Sequence, residues 1–334
     1  MCSGMLPGLG KKADEGKQER RQHATLHSGG ISLDFDYIGV SAKSQTSIPK
    51  VNPHDHLNRA AGWFSVLCLS GAVMPVTTLA QSRFFPDVQS FELPLASPRI
   101  FGFAGRLIDE SVGDDQFGAE REGDVTIGEQ FPVIALRQGP RPITLGFGVQ
   151  VTGRFSLDDS RSALISSDWQ VGFNTHGDFA PWEVALQVYH ESSHLGDEYI
   201  KRFGASRLDW TREVLALWVG YRAGGFRLMG SVGNAVVDEL DLSPWLGSAG
   251  IDYRGGQFSI LGLKTHPLAG VFADAASATD WRISSSVKLG LAFPGARVGK
   301  ELRLSLIGHD GLSTQRQFFR SSSRFVGMEI EFQL

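Results

Sequence analysis

Cysteine is almost missing from this chain of 334 residues: Cys2 and Cys68 are the two it has, and both precede residue 80. Disulfide and thiol chemistry are therefore closed to everything downstream. A long apolar run is missing as well, because no stretch approaches the roughly 20 residues that a membrane-spanning helix needs. A helical membrane protein is excluded. Nor is there a basic surplus: 32 Lys and Arg stand against 36 Asp and Glu, and the basic residues are scattered. Nucleic acid is thus not an expected partner.

What the chain does have is glycine (40), phenylalanine (22) and alternation. At the carboxyl end Val326, Met328, Ile330, Phe332 and Leu334 alternate with Gly327, Glu329, Glu331 and Gln333, a strand with one apolar and one polar face. Nothing follows to cover the apolar face, and in water such a strip is an aggregation hazard. Lipid removes the hazard. The pattern is that of a closing strand in a transmembrane β-barrel, with apolar side chains against acyl chains and polar ones in the lumen. Such a strand also makes the barrel assembly machinery an expected partner. The plain alternative is the edge strand of a soluble sandwich.

The first 56 residues are polar and without apolar periodicity, and read as an unstructured extension or a misplaced start, with Val51 or Leu57 as candidate starts. Residues 57–80 read as a signal peptide: Arg59, an apolar stretch from Trp63 to Val76, and Thr78-Leu79-Ala80 before a cleavage expected after Ala80. Residues 81–99 read as an N-terminal periplasmic segment and residues 100–334 as the barrel. This layout predicts the outer membrane of a Gram-negative bacterium.

Dyad alternation recurs along residues 100–334. The outward sets are Ile143, Leu145, Phe147, Val149, Val151; Ile165, Trp169, Val171, Phe173; Trp281, Ile283, Val287, Leu289, Leu291, Phe293; and Leu302, Leu304, Leu306. About twelve strands are predicted, near 100–108, 128–137, 142–155, 164–174, 181–193, 209–222, 225–238, 248–254, 257–265, 281–293, 300–309 and 322–334. Residues 131–136 and 214–221 are apolar on both parities, and Leu261 with Leu263 breaks the phase of Phe258 and Ile260. Short Gly- or Pro-rich connections alternate with longer ones, as two unlike rims require. Arg154, Arg282, Lys288 and Arg303 against Asp168, Glu183, Glu301, Glu329 and Glu331 on the inward parity suggest a charge network that fills the lumen, where an open pore would show a one-sided field.

The fifth predicted strand runs into His190-Glu191-Ser192-Ser193-His194-Leu195-Gly196-Asp197-Glu198-Tyr199. This run resembles the signature of the bacterial family called domain of unknown function 1207, and Pro94-Leu95-Ala96-Ser97-Pro98-Arg99 resembles a second stretch of that family, with Ser97 where an Asp is expected. The resemblance extends from about Phe91 to Leu334. It implies an outer-membrane barrel and no known reaction. The His190-x-Ser192 pair alone resembles the arrangement in the outer-membrane phospholipase A and lipid A deacylase families.

Residues two apart on a strand share a face, about 6.5–7 Å apart, so an imidazole can lean across to a serine hydroxyl. If the strand keeps its register, His190 and Ser192 face lipid near the outer rim, within reach of outer-leaflet acyl esters. Asp197, Glu198 or a residue of the adjacent strand would orient the histidine. The leading reading is a structural or transport role, in which Ser193, His194, Gly196, Glu198 and Tyr199 belong to a polar cluster at the extracellular rim that anchors a loop. A surface ligand-binding or adhesion barrel is the third. No resident metal or cofactor is expected. His190 and His194 are about 13 Å apart on an extended strand, too far to share a zinc ion; Asp197 and Glu198 could contribute to a calcium site, but two carboxylates are too few to argue one.

Overall fold

The computed structural model describes residues 83–88, 91–113, 121–136, 142–158, 161–295 and 300–333. The strands are β1 (Arg83–Phe84), β2 (Phe103–Val112), β3 (Arg121–Ala135), β4 (Ile143–Ser156), β5 (Leu164–Phe179), β6 (Trp182–Leu195), β7 (Trp210–Ala223), β8 (Phe226–Asp238), β9 (Trp245–Arg254), β10 (Phe258–Ile260), β11 (Leu263–Ala276), β12 (Ser284–Pro294), β13 (Glu301–Leu312) and β14 (Ser322–Gln333). One helix, α1 (Asp197–Phe203), follows β6. All pairings are antiparallel, and β14 closes on β2, with Phe332 opposite Phe103 and Met328 opposite Leu107. Leaving out the short β1 and β10, twelve strands form a closed transmembrane barrel. Closure leaves no edge and satisfies every ladder internally, which a strand in hydrocarbon must do.

The alternation does what the sequence implies. On β14, Val326 and Met328 are 66% and 58% exposed while Glu329 and Glu331 are 4% and 0%. Outward exposure repeats at Val149, Trp169, Phe173, Leu289, Leu304 and Leu306. The signal peptide expected at 57–80 lies outside the described residues.

Several strand limits differ from the expected ones. The phase break at Leu261 is a hairpin: Leu261 and Gly262 have φ of 51° and 80°, and β10 folds onto the start of β11. The strand expected at 257–265 is therefore β11, which continues to Ala276 through residues expected as loop. Ile165 was expected to face outward and is fully buried. The β4–β5 register shifts so that Arg154 pairs Ser166 and Phe155 pairs Leu164. Ile165 is the extra residue, and it packs with Ala163, Leu195 and Tyr199.

The lumen is full. Arg106 Nε lies 2.6 Å from Glu329, Lys288 Nζ 2.6 Å from Glu329 and 3.1 Å from Glu331, Arg303 Nη1 3.0 Å from Glu331, and Arg154 Nε 3.2 Å from Asp124. Signs balance across this network, as the inward charges suggested. Arg282 is the exception, exposed in the connection before β12 and bonded to Ser322.

Residues 91–99, expected as a periplasmic segment, run inside the barrel. Phe91 packs on Trp218 and His176, Glu92 Oε1 lies 3.1 Å from Arg303 Nη2, Leu95 N–H donates to Asp252 at 2.9 Å, Pro98 O accepts from Arg106 at 3.1 Å, and Arg99 donates to Asp168 at 3.2 Å. These partners come from β2, β5, β7, β9 and β13, so the segment follows the barrel interior rather than one wall. Glycine makes room for it: a Cβ on Gly250 would meet Pro94 at 2.6 Å, and one on Gly148 would meet Phe101 at 2.9 Å. Val214, Ala216 and Trp218, the inward set of the doubly apolar β7, pack around Phe91.

Candidate functional site

β6 hands its residues to two environments. Glu183, Ala185, Gln187, Glu191, Ser193 and Leu195 are buried on the lumenal side, whereas Trp182, Leu186, His190, Ser192 and His194 take the outward parity. The signature is thereby split residue by residue.

The inward half is an anchor. Glu191 accepts from Trp210 Nε1 at 3.3 Å and Arg316 Nη2 at 3.2 Å. Ser193 Oγ–H donates to Asp168 Oδ1 at 2.5 Å, and the Ser193 carbonyl accepts from Gln317 Nε2 at 2.8 Å. Gly196 caps α1 with φ −65°, so no left-handed conformation is involved; a Cβ there would overlap the Leu164 carbonyl oxygen. Tyr199 is buried, edge-on to Phe318 and tilted on Phe203, and ties α1 to the loop between β13 and β14.

The outward half holds the His190-x-Ser192 pair. His190 pairs with Glu213 across the β6–β7 ladder, and Ser192 with Thr211. Cross-strand neighbours on one face stand about 4.5–5.5 Å apart at Cβ, and here they touch: His190 Nδ1 is 3.1 Å and 3.2 Å from the two Glu213 oxygens, with the side chains 39% and 27% exposed. An ionised carboxylate only accepts, so Nδ1 carries the proton, and in the neutral ring Nε2 is then the nitrogen with the lone pair. Neither Nε2 nor Ser192 Oγ is hydrogen-bonded to any described residue. On the other side β5 places Val171 opposite His190 and Trp169 opposite Ser192. Trp169 is exposed, and its indole N–H donates to Ser167 Oγ at 3.2 Å. An outward Trp beside polar side chains is the usual marker of the depth at which acyl chains give way to headgroups.

Asp197 and Glu198, the carboxylates named from sequence, lie exposed in the first turn of α1, and neither bonds the histidine ring. The carboxylate that touches the His190 ring is Glu213. No linear motif marks it, since it lies 23 residues from His190 and becomes its neighbour only through register. His194 is exposed on the same face as His190 and Ser192. Among the described residues no group of three or more His, Cys, Asp or Glu is placed to hold a metal ion.

Fold and site together define a closed transmembrane β-barrel with ion pairs across its lumen and an acid, histidine and serine on its outer wall. The chain belongs to the family described as Protein of unknown function (DUF1207), whose profile matches residues 36–334. No curated protein sequence matches it. Among solved structures it is similar to outer membrane phospholipase A from Escherichia coli, at 14% identity and TM-score 0.49, covering 72% of this chain and 94% of that one. The Salmonella typhi outer membrane phospholipase dimer with bound calcium gives 14% identity and TM-score 0.50, covering 73% and 92%. The β domain of the Bordetella autotransporter BrkA gives 10% and 0.38, covering 70% and 99%. These likenesses are of fold.

Proposed function

We propose that the protein is an outer-membrane acyl-ester hydrolase acting on lipids of the outer leaflet, with Ser192 as nucleophile, His190 as general base and Glu213 as the group that orients His190. The observation that carries this reading is the outward His190 bonded through Nδ1 to Glu213, with Ser192 two residues along the same face. The alternative parity would have buried the pair in the lumen, away from any lipid.

His190 Nε2 takes the Ser192 proton as Oγ attacks the ester carbonyl, and returns it to the departing alcohol as the tetrahedral intermediate collapses. Water, deprotonated by the same nitrogen, then releases the fatty acid and restores Ser192. Glu213 stays ionised throughout and stabilises the imidazolium that forms at each step. A lumen crossed by ion pairs and by residues 91–99 suits this role better than transport, because a lipid substrate needs access to the wall alone.

The test uses the refolded full chain with a serine-directed fluorophosphonate and with vesicles of ester-linked phospholipid. Covalent label on Ser192 and release of fatty acid, both abolished in Ser192→Ala and His190→Ala barrels of normal heat-modifiability, are expected. Absence of label and of fatty-acid release from the folded wild-type barrel would overturn the reading.

A further inference from the structure

Between the lumenal segment and the longer loops the barrel keeps a cavity of about 160 Å3. It is lined by Ser97, Pro98 and Arg99 of that segment and, from strand ends and loops, by Ala276, Ala278, Thr279, Leu312, Ser313, Thr314 and Phe319.

Its charged walls are incompletely paired, and buried polar atoms elsewhere in the lumen, among them Glu122 Oε1, Gln150 Oε1 and Glu329 Oε1, are without a hydrogen-bond partner too. Arg212 is 1% exposed and lines the cavity, and its Nη2 has no hydrogen-bond partner. Its Nε lies 2.8 Å from Asp238 Oδ2, an ion pair too far off line to be a hydrogen bond. Arg316 uses Nη2 on Glu191 and leaves Nε without a partner. Both guanidiniums converge on the Trp210 ring, at 5.2 Å and 5.4 Å from its centroid. From β11 comes Asp274, a carboxylate with no hydrogen bond or ion pair to any described residue. The remaining wall is apolar, with Trp218, Phe272, Leu246 and Leu93.

Buried donors without acceptors are rare in native proteins and call for an explanation by a missing partner. Water fills polar gaps, but here two guanidiniums with unused donors, a carboxylate within the field of Arg316, Arg99 and His309 but bonded to none of them, and an aromatic wall line one space. We infer that this pocket binds a small amphoteric solute, a carboxylate and an ammonium on an apolar body, about the size of a free α-amino acid. Arg212 and Arg316 take the carboxylate, Asp274 takes the ammonium, and Trp218 with Phe272 covers the apolar part. The site faces inward from β7, whereas Glu213 faces outward from the same strand, so it stands independently of the hydrolase reading.

Isothermal titration of the full refolded chain with phenylalanine, phenylacetate and phenethylamine tests it. Saturable binding of phenylalanine is expected, with weaker binding of phenylacetate. Arg212→Met should weaken both at least tenfold, and Asp274→Asn should weaken phenylalanine while sparing phenylacetate. Gly233→Leu fills the pocket beside Leu246 and Ala216, where a Cβ already sits at 3.4–3.5 Å, and should abolish binding with no change of charge. It keeps the test decisive should Arg212→Met fail to fold. No saturable binding by the wild-type chain, or wild-type affinity in the folded Gly233→Leu barrel, would refute the site.

Discussion

Arg99 and Ser193 share one carboxylate: Arg99 Nη2 donates to Asp168 Oδ2 at 3.2 Å and Ser193 Oγ to Asp168 Oδ1 at 2.5 Å. The two stretches that carry the family resemblance, separated by about ninety residues of chain, thus meet in the lumen. Ser193 is also the residue after Ser192, so the lumenal segment braces the inner side of the strand whose outer side holds the proposed nucleophile.

That bracing is testable. Arg99→Ala removes one donor to a buried carboxylate, and hydrogen bonds to charged groups contribute about 1.5–3 kcal/mol. Urea unfolding in detergent should show a loss of this size. Fatty-acid release should fall by less than in Ser192→Ala, since Arg99 acts on the position of the strand and not on the ester.

The partner of His190 is the next point. Glu213→Gln can still accept at Nδ1 but no longer stabilises the imidazolium, and should slow hydrolysis at least tenfold, in keeping with the roughly 10²–10⁴-fold worth of positioned acid–base groups. Asp197→Asn, in the exposed first turn of α1, should leave the rate unchanged. The two variants assayed side by side on one substrate distinguish a carboxylate of the ladder from one of the loop.

Facing can be checked by charge insertion. Ile330→Arg and Leu304→Arg place a cation on the lipid side, where the cost is about 2–4 kcal/mol near the midplane. Ser305→Ala removes an inward hydroxyl that has no hydrogen-bond partner and should change stability by less than about 0.5 kcal/mol. Yields of heat-modifiable barrel should rank accordingly. Glu331→Gln is a harsher lumen change than its position alone suggests, because Lys288 and Arg303 both depend on that carboxylate.

Gly196→Ala should loosen the loop side of the barrel. Its methyl would run into the Leu164 carbonyl, and overpacking of this kind costs about 1–3 kcal/mol. Limited proteolysis should then cut within or beside α1, at Lys201 or Arg202, faster than in the wild-type chain.

The sequence by itself determined the architecture and which side chains meet lipid. Lipid and lumen alternate with the strand period of two, so Val326, Met328, Ile330 and Phe332 declare their face against Glu329 and Glu331 without any knowledge of neighbours. The same logic put His190 and Ser192 on the outer wall. Tertiary structure decided what depends on register and on filling. Glu213 meets His190 only because β7 pairs with β6 at that offset, and nothing local encodes an offset. Ile165 left the outward set through one unpaired residue in a ladder. The doubly apolar run of β7 stayed ambiguous because its inner face packs on Phe91, a residue from a segment read as lying outside the barrel. Alternation reports the solvent on each side of a wall; it is silent about which distant piece of chain takes the place of solvent within.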